Sequence, residues 1–452
     1  MTTSTRPAAG PPREYHFPRF EKVQLRNGLT VIVAPVRKLP IVSVAAVIDA
    51  TAVDDPAGLE GLAELTAQAL REGTRKRDGM KLALDLEKLG TSFEAGSDWD
   101  STIASMTVLK DKLGSAFNIF AEILTLPAFN GPDIERLKAE RLAERMQILA
   151  EPRGLADESF SRFLYESGSR YGEPMSGSST SVTRISRDDV TGFYERNFVP
   201  QTMTLILAGD VSVDEGVKLA ESAFGSWKGT RASSRGVADK PARADRGVQI
   251  IAKPDAAQSE VRVGHVGLPR NNPDYFNIVV MNAVLGGLFS SRINLNLREA
   301  HGYTYGASSY YDWRRQAGPF VISTAVQSEV TGEAIKETLK EIERMQSEEI
   351  AQDELTLATS YLEGVFPIRY ETTASIGAAL ANLVTFGLPE NYYDTYRARI
   401  AGVTTADVLA AARTHVKQEN LQVVVVGNPD VIAAPVEALG VGAMTVREVE
   451  ES

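Results

Sequence analysis

Residues 58–74, GLEGLAELTAQALREGT, read as a helix that opens on glycine and closes on Gly73-Thr74. Positions i, i+3 and i+4 of a helix share one face, and one such face carries Glu64, Ala67 and Gln68. A carboxylate, a methyl group and an amide are poor material for catalysis. Alanine cannot act as a base, and a neutral amide is a weak zinc ligand beside imidazole or carboxylate. The rest of the chain offers no local remedy. It has no cysteine, which removes disulfides, thiolate nucleophiles and sulfur-bound zinc. Its four histidines, His16, His265, His301 and His415, are scattered, none within five residues of another. No local pair of imidazoles is available to a metal.

The elements that must position such residues fall into two similar runs. A Thr/Pro/Ala-rich stretch over 1–19 reads as a flexible tail. EKVQLRNGLTVIVAP then predicts a hairpin about Asn27-Gly28, and IVSVAAVIDA (41–50) a buried strand. Helices are expected over 58–72, 78–90, 111–124 and 132–149, with strands inside 91–109 and a closing strand in TMTLILAGDV (202–211). Residues 228–247, KGTRASSRGVADKPARADRG, are polar and without hydrophobic period, and read as a linker.

After it the pattern begins again. GVQIIAKPD and SEVRVGHVGL are strand-like, 274–300 is helical, GYTYGASSYYD and GPFVISTAVQ supply strands, and LQVVVVGNPD (421–430) closes the run. Gly209 and Gly427 of the two closing strands lie 218 residues apart, and Val44 and Val263 of the opening strands 219. That is a long-period internal duplication. The expected fold is α+β: two similar halves, 20–227 and 248–452, each a mixed, mainly antiparallel sheet with packed helices, arranged as a clamshell.

Bulk properties bound the function. A chain of 452 residues exceeds one compact core. A net charge of -11 argues against nucleic acid, which demands a basic footprint. The N-terminus lacks the apolar run of a signal peptide, and no stretch approaches the uninterrupted apolar length of a membrane span. The expectation is a soluble, cytoplasmic protein with neither nucleic acid nor membrane as partner.

Residues 61–74, GLAELTAQALREGT, resemble the zinc helix of the pitrilysin/insulinase family of metallopeptidases, which includes the mitochondrial processing peptidases. That family's helix carries H-x-x-E-H between Gly-Leu-Ala and Gly-Thr. The resemblance runs from about residue 20 onward and includes SRYGEPMSGSS (169–179) and NFVPQTMTLILAGDV (197–211). It implies that Glu64, Ala67 and Gln68 stand where the histidines and the glutamate base belong, and that Glu144 falls at the spacing of the third ligand. Two carboxylates cannot replace two imidazoles and a base. No metal residue is therefore assigned in this chain, and zinc is expected in a partner subunit.

SSRINLNLREAHGYTYGASSYYD (290–312) resembles the family's C-terminal signature, an arginine followed by a tyrosine seven residues on. These are Arg298 and Tyr305. The resemblance implies that they hydrogen-bond substrate near the zinc, a task suited to two donors that strengthen as a carbonyl gains negative charge. A bland alternative is that Arg298 caps its helix and Tyr305 is one packing aromatic beside Tyr303, Tyr310 and Tyr311.

The function implied is a non-catalytic, substrate-positioning subunit of a heterodimeric zinc endopeptidase acting on peptides. Its partner would be a homologous H-x-x-E-H subunit, served in trans by Arg298 and Tyr305. Two alternatives stand beside it: a purely structural core-type subunit, and an independent hydrolase with a relocated metal site.

Overall fold

The computed structural model describes residues 14–230, 236–237 and 239–449. The first half builds β1 (Glu21–Gln24), β2 (Thr30–Pro35), β3 (Ile41–Ile48), β4 (Glu94–Ser97), β5 (Thr102–Leu109) and β6 (Met203–Gly209). They form one sheet in the order β1-β2-β6-β3-β5-β4. The second half builds β7 (Gly247–Ala252), β8 (Gln258–Val266), β9 (Ala307–Tyr311), β10 (Pro319–Gln327), β11 (Gln422–Gly427) and β12 (Ala443–Arg447). Their order is β12-β7-β11-β8-β10-β9. Five places match one for one, which is the duplication written as topology. Val44 pairs with Leu207 and Met106 as Val263 pairs with Val423 and Ile322. At the sixth place the halves differ: β1 runs antiparallel to β2, whereas β12 runs parallel to β7.

Local signals account for the turns. Asn27-Gly28 makes the first hairpin, with Gly28 at φ +93 and Leu25 N–H donating to the carbonyl of Leu29. Gly209 sits at φ +144, where an added Cβ would meet the Ile41 carbonyl oxygen at 2.2 Å. Only glycine can end β6 beside β3 in that way.

Both faces of the central strands are buried, so they read as nearly continuous apolar runs. Successive side chains point to opposite faces. Val31, Val33, Leu205 and Leu207 therefore join one core, and Ile32, Ala34, Ile206 and Ala208 another. The first core is closed by helices of its own half: α1 (Leu62–Ala69), with Leu113–Thr125 and Val213–Phe224.

The other faces are closed by exchange. The long helix α2 (Gly131–Ala150) breaks at Glu151, which is extended (φ -89, ψ 121) before Pro152, and α3 (Pro152–Leu164) begins. This second helix lies beyond the single helix expected over 132–149. α3 leaves its own half and packs on β8 and β11 through Leu155, Ala156, Phe160, Phe163 and Leu164. In return α4 (Thr373–Phe386) crosses from the second half to pack on β3 and β6.

Polar contacts tighten this seam. The Ser43 hydroxyl bonds that of Thr373 at 2.9 Å, and Arg315 donates to Asp49 at 2.6 Å and to the Thr385 carbonyl at 2.7 Å. Of the expected tail, residues 1–13 lie outside the described residues, while Phe17 is buried and stacks on Tyr393 at 4.6 Å. Of the expected linker, 231–235 and 238 lie outside the described residues. Its later part is held against the end of α3, with Glu166 N–H donating to the Lys240 carbonyl and Ala242 N–H to that of Leu164.

The stretch Tyr275–Ala300 is long and apolar enough to cross a membrane by composition. Here Ile278, Val280, Met281, Leu285, Ile293 and Leu297 are buried in the second half's core.

Candidate functional site

Two groups of residues singled out by the sequence occupy separate halves. The first surrounds α1. Its N-terminus is set by Asp55, whose carboxylate accepts from Gly61 N–H and Ala63 N–H, each at 2.8 Å. Arg170 holds Asp55 in turn at 3.0 Å, and donates to the carbonyls of Ala52, Pro174 and Met175. Burial pushes the Asp55 carboxyl up to about 6, with Arg170 opposing. Gly61 (φ +95) and Gly177 (φ +87) let the two loops cross: a Cβ on Gly61 would sit 2.4 Å from the Ser176 carbonyl oxygen. The stretch 169–179 thus serves the helix by fixing where it starts.

On the half-buried face of α1, Glu64 accepts from Ser97 N–H of β4 at 2.7 Å and from the Gln68 amide at 2.9 Å. Ala67 is fully buried. From α2, the Arg141 guanidinium reaches Glu64 at 3.5 Å through Nη2 and Glu144 at 3.0 Å through Nη1. The two carboxylates at the expected metal positions are therefore joined by one cation. A zinc ion does not fit this set: the third and fourth donors are missing, and a fixed positive charge stands between the two that remain. Among the described residues no cluster of three or more His, Asp and Glu side chains is placed to hold a metal. The described histidines are committed elsewhere. His265 is buried in β8, where burial pushes it down to about 4, and His415 meets Asp274 at 2.8 Å.

The second group lies where the helical region ends before β9. The segment Leu295–Ala300 winds as a π turn, and Gly302 (φ +67) reverses the chain, with its N–H donating to the Arg298 carbonyl. The Arg298 guanidinium makes no hydrogen bond to the helix end. It approaches Glu299 at 3.3 Å and lies 4.1 Å from the centre of the Phe289 ring. Its Nη1 is closed from water and has no acceptor.

Tyr305 is 93% exposed, and Phe289 72%. Tyr305 is thus no packing aromatic, unlike buried Tyr311. It also precedes the strand on which it was expected, because the Thr304 hydroxyl accepts from Gly306 N–H and makes a turn there. His301 stacks on Tyr303 at 4.9 Å, its Nε2 3.9 Å from Glu337.

Sequence reasoning missed Arg141, Phe289 and Asn294. Arg141 carried a signal, since it precedes Glu144 by three residues and so shares its helix face. Asn294 is buried and joins the loop to the strand: its amide donates to the Phe289 carbonyl at 2.5 Å and its oxygen accepts from Ala307 N–H at 3.0 Å.

Comparison with known proteins agrees with this architecture. The family model for insulinase (peptidase family M16) matches residues 31–172, and that for the peptidase M16 inactive domain matches 184–362. The chain belongs to the M16 peptidase family. A crystal structure of a peptidase M16 inactive domain from Pseudomonas fluorescens superposes with a TM-score of 0.85 at 24% identity, over 90% of this chain and 98% of that one. An uncharacterized zinc protease of Streptomyces coelicolor is 24% identical over 365 residues, 80% of this chain and 79% of its own length. A protein of Helicobacter pylori named as a non-peptidase homolog is 24% identical over 373 residues, 81% and 84% of the two chains. A probable mitochondrial-processing peptidase subunit beta of Schizosaccharomyces pombe is 26% identical over 279 residues, 60% and 59%. With Ala67 where the base belongs and Arg141 between the carboxylates, this M16 chain is a non-catalytic member of its family.

Proposed function

We propose that this chain is the substrate-positioning subunit of a heterodimeric zinc endopeptidase, and that Arg298 and Tyr305 donate to a peptide carbonyl held at the zinc of a homologous H-x-x-E-H partner. The observation that carries the reading is the contrast between the two sites. The first has its charges satisfied internally by Arg141. The second offers an exposed phenol and a guanidinium that is 31% exposed and whose ion pair is with its own exposed neighbour, Glu299. β9, the open edge of the second sheet beside this pair, suits an extended peptide that adds as a further strand with little sequence preference. Membership of a family that includes a processing-peptidase beta subunit among the relatives supports pairing with a second subunit.

The test begins with purification from the native source, to identify a partner bearing H-x-x-E-H. The complex is then rebuilt with Arg298→Ala. Losing one preorganised donor of this type costs about 10²–10³ in rate, so kcat/KM for a peptide should fall by that order while the subunits stay together. Arg298→Lys should recover only part, because an ammonium lacks the planar fork that fixes donor direction. Unchanged kinetics in a stable complex would refute the reading and leave a structural subunit.

A further inference from the structure

Phe289 is a large apolar side chain left 72% exposed at the tip of a loop, and its ring covers the guanidinium of Arg298 at 4.1 Å. Its position is held from below. Buried Asn294 fixes the Phe289 carbonyl, and Ser291 N–H closes back on the Leu288 carbonyl at 3.0 Å. The same Asn294 anchors Ala307, two residues beyond Tyr305, so one buried amide sets both flanks of the arginine.

We propose that Phe289 is a positioning residue for Arg298, its ring fixing the plane of the guanidinium so that the open edge of the fork is aimed at a peptide carbonyl. The inference rests on the assignment of Arg298 as a carbonyl donor. Three observations carry it beyond that assignment. The cation lies over the ring face, the geometry in which the ring's quadrupole attracts it. Its other close partner, Glu299, takes only one edge of the fork at 3.3 Å, so without the ring the plane would be free to turn. Nη1 is closed from water, so that edge is turned inward, and the side chain, 31% exposed, meets solvent through the rest of its fork. An aromatic ring at the tip of an exposed loop contributes little to the core, so its removal should leave the fold intact.

The experiment is a double-mutant cycle on the full chain. Fluorescence anisotropy would follow binding of fluorescein-labelled, reduced and carboxymethylated α-lactalbumin, an unfolded polypeptide probe. Cation–π contacts at exposed sites are modest, so Phe289→Ala should weaken binding about threefold to tenfold. Phe289→Tyr should bind as the wild type does, because the ring face is kept. In an Arg298→Ala background, Phe289→Ala should have no further effect, since residues acting through one another are not additive. An equal loss in both backgrounds would overturn the proposal by showing that Phe289 touches the peptide itself. A loss with Arg298→Ala but none with Phe289→Ala would overturn it while leaving the carbonyl-donor reading intact. If the wild-type chain does not bind the probe, or Arg298→Ala binds it equally well, both fall together.

Discussion

Arg141 should weaken zinc binding at this site even when ligands are restored. The perturbation is Glu64→His with Gln68→His, which with Glu144 puts two imidazoles and a carboxylate about one point. Glu144 is already 3.0 Å from Arg141, so zinc must displace the guanidinium or share its place. Two unit charges 4 Å apart interact with about 1 kcal/mol in bulk water. A divalent ion beside a single positive charge is thus opposed by about 2 kcal/mol, and by more at this partly buried site. Each 1.4 kcal/mol is tenfold, so adding Arg141→Met should raise zinc affinity about 30-fold. Methionine keeps the length and apolar stem without the charge. Competition calorimetry against a chelator would measure both constants. Equal zinc affinities with and without Arg141 would refute the idea that its charge closes the site.

Two further outcomes follow from the seam. Burial pushes the Asp100 carboxyl, which accepts from Arg315 N–H, up to about 6. The folded chain therefore keeps this proton where the unfolded chain has lost it. The stabilisation is full below about pH 4 and is lost as pH rises through about 6. Asp100→Asn should remove the dependence, so that from pH 4 to 7 the variant gains roughly 3 kcal/mol on the wild type in urea unfolding; a constant gap would count against it. Leu380→Ala empties a fully buried place on α4 and should cost about 2–5 kcal/mol. Fluorescence of Trp227 in the first half and Trp313 in the second should lose structure together; separate transitions would refute a shared core.

The legible parts were those governed by short-range chemistry. Asn27-Gly28 turns the chain as expected, with Gly28 at φ +93, and the helix expected over 78–90 is closed by Gly90 at φ +68. The duplicated strand pattern led directly to two equivalent sheets. What was hidden depends on distant partners. TASIGAALANLVTF is apolar around most of its circumference, which says that α4 is buried but not that it lies on the other half's sheet. The helix expected over 132–149 is there as α2, but α3, which follows the break before Pro152 and packs on β11, was not anticipated. Arg141 and Glu144 are neighbours on one helix, whereas the contact of Arg141 with Glu64 spans two helices and has no local pattern. Exposure was equally invisible: Tyr303, Tyr305 and Tyr311 look alike in sequence, and only the fold leaves Tyr305 in water.

The crossing of α4 has a consequence for synthesis. When Gly209 has emerged, the first sheet can form, but Ile32, Ala34, Ile206 and Ala208 have nothing to cover them until Phe386 follows roughly 180 residues later. At about 5–20 residues per second, that face waits on the order of 10–35 s beside the ribosome. An apolar sheet face bare for that time is a natural client for a chaperone. A fragment ending near residue 245 would keep it bare permanently. The duplication that made the two halves alike has left neither able to finish without the other.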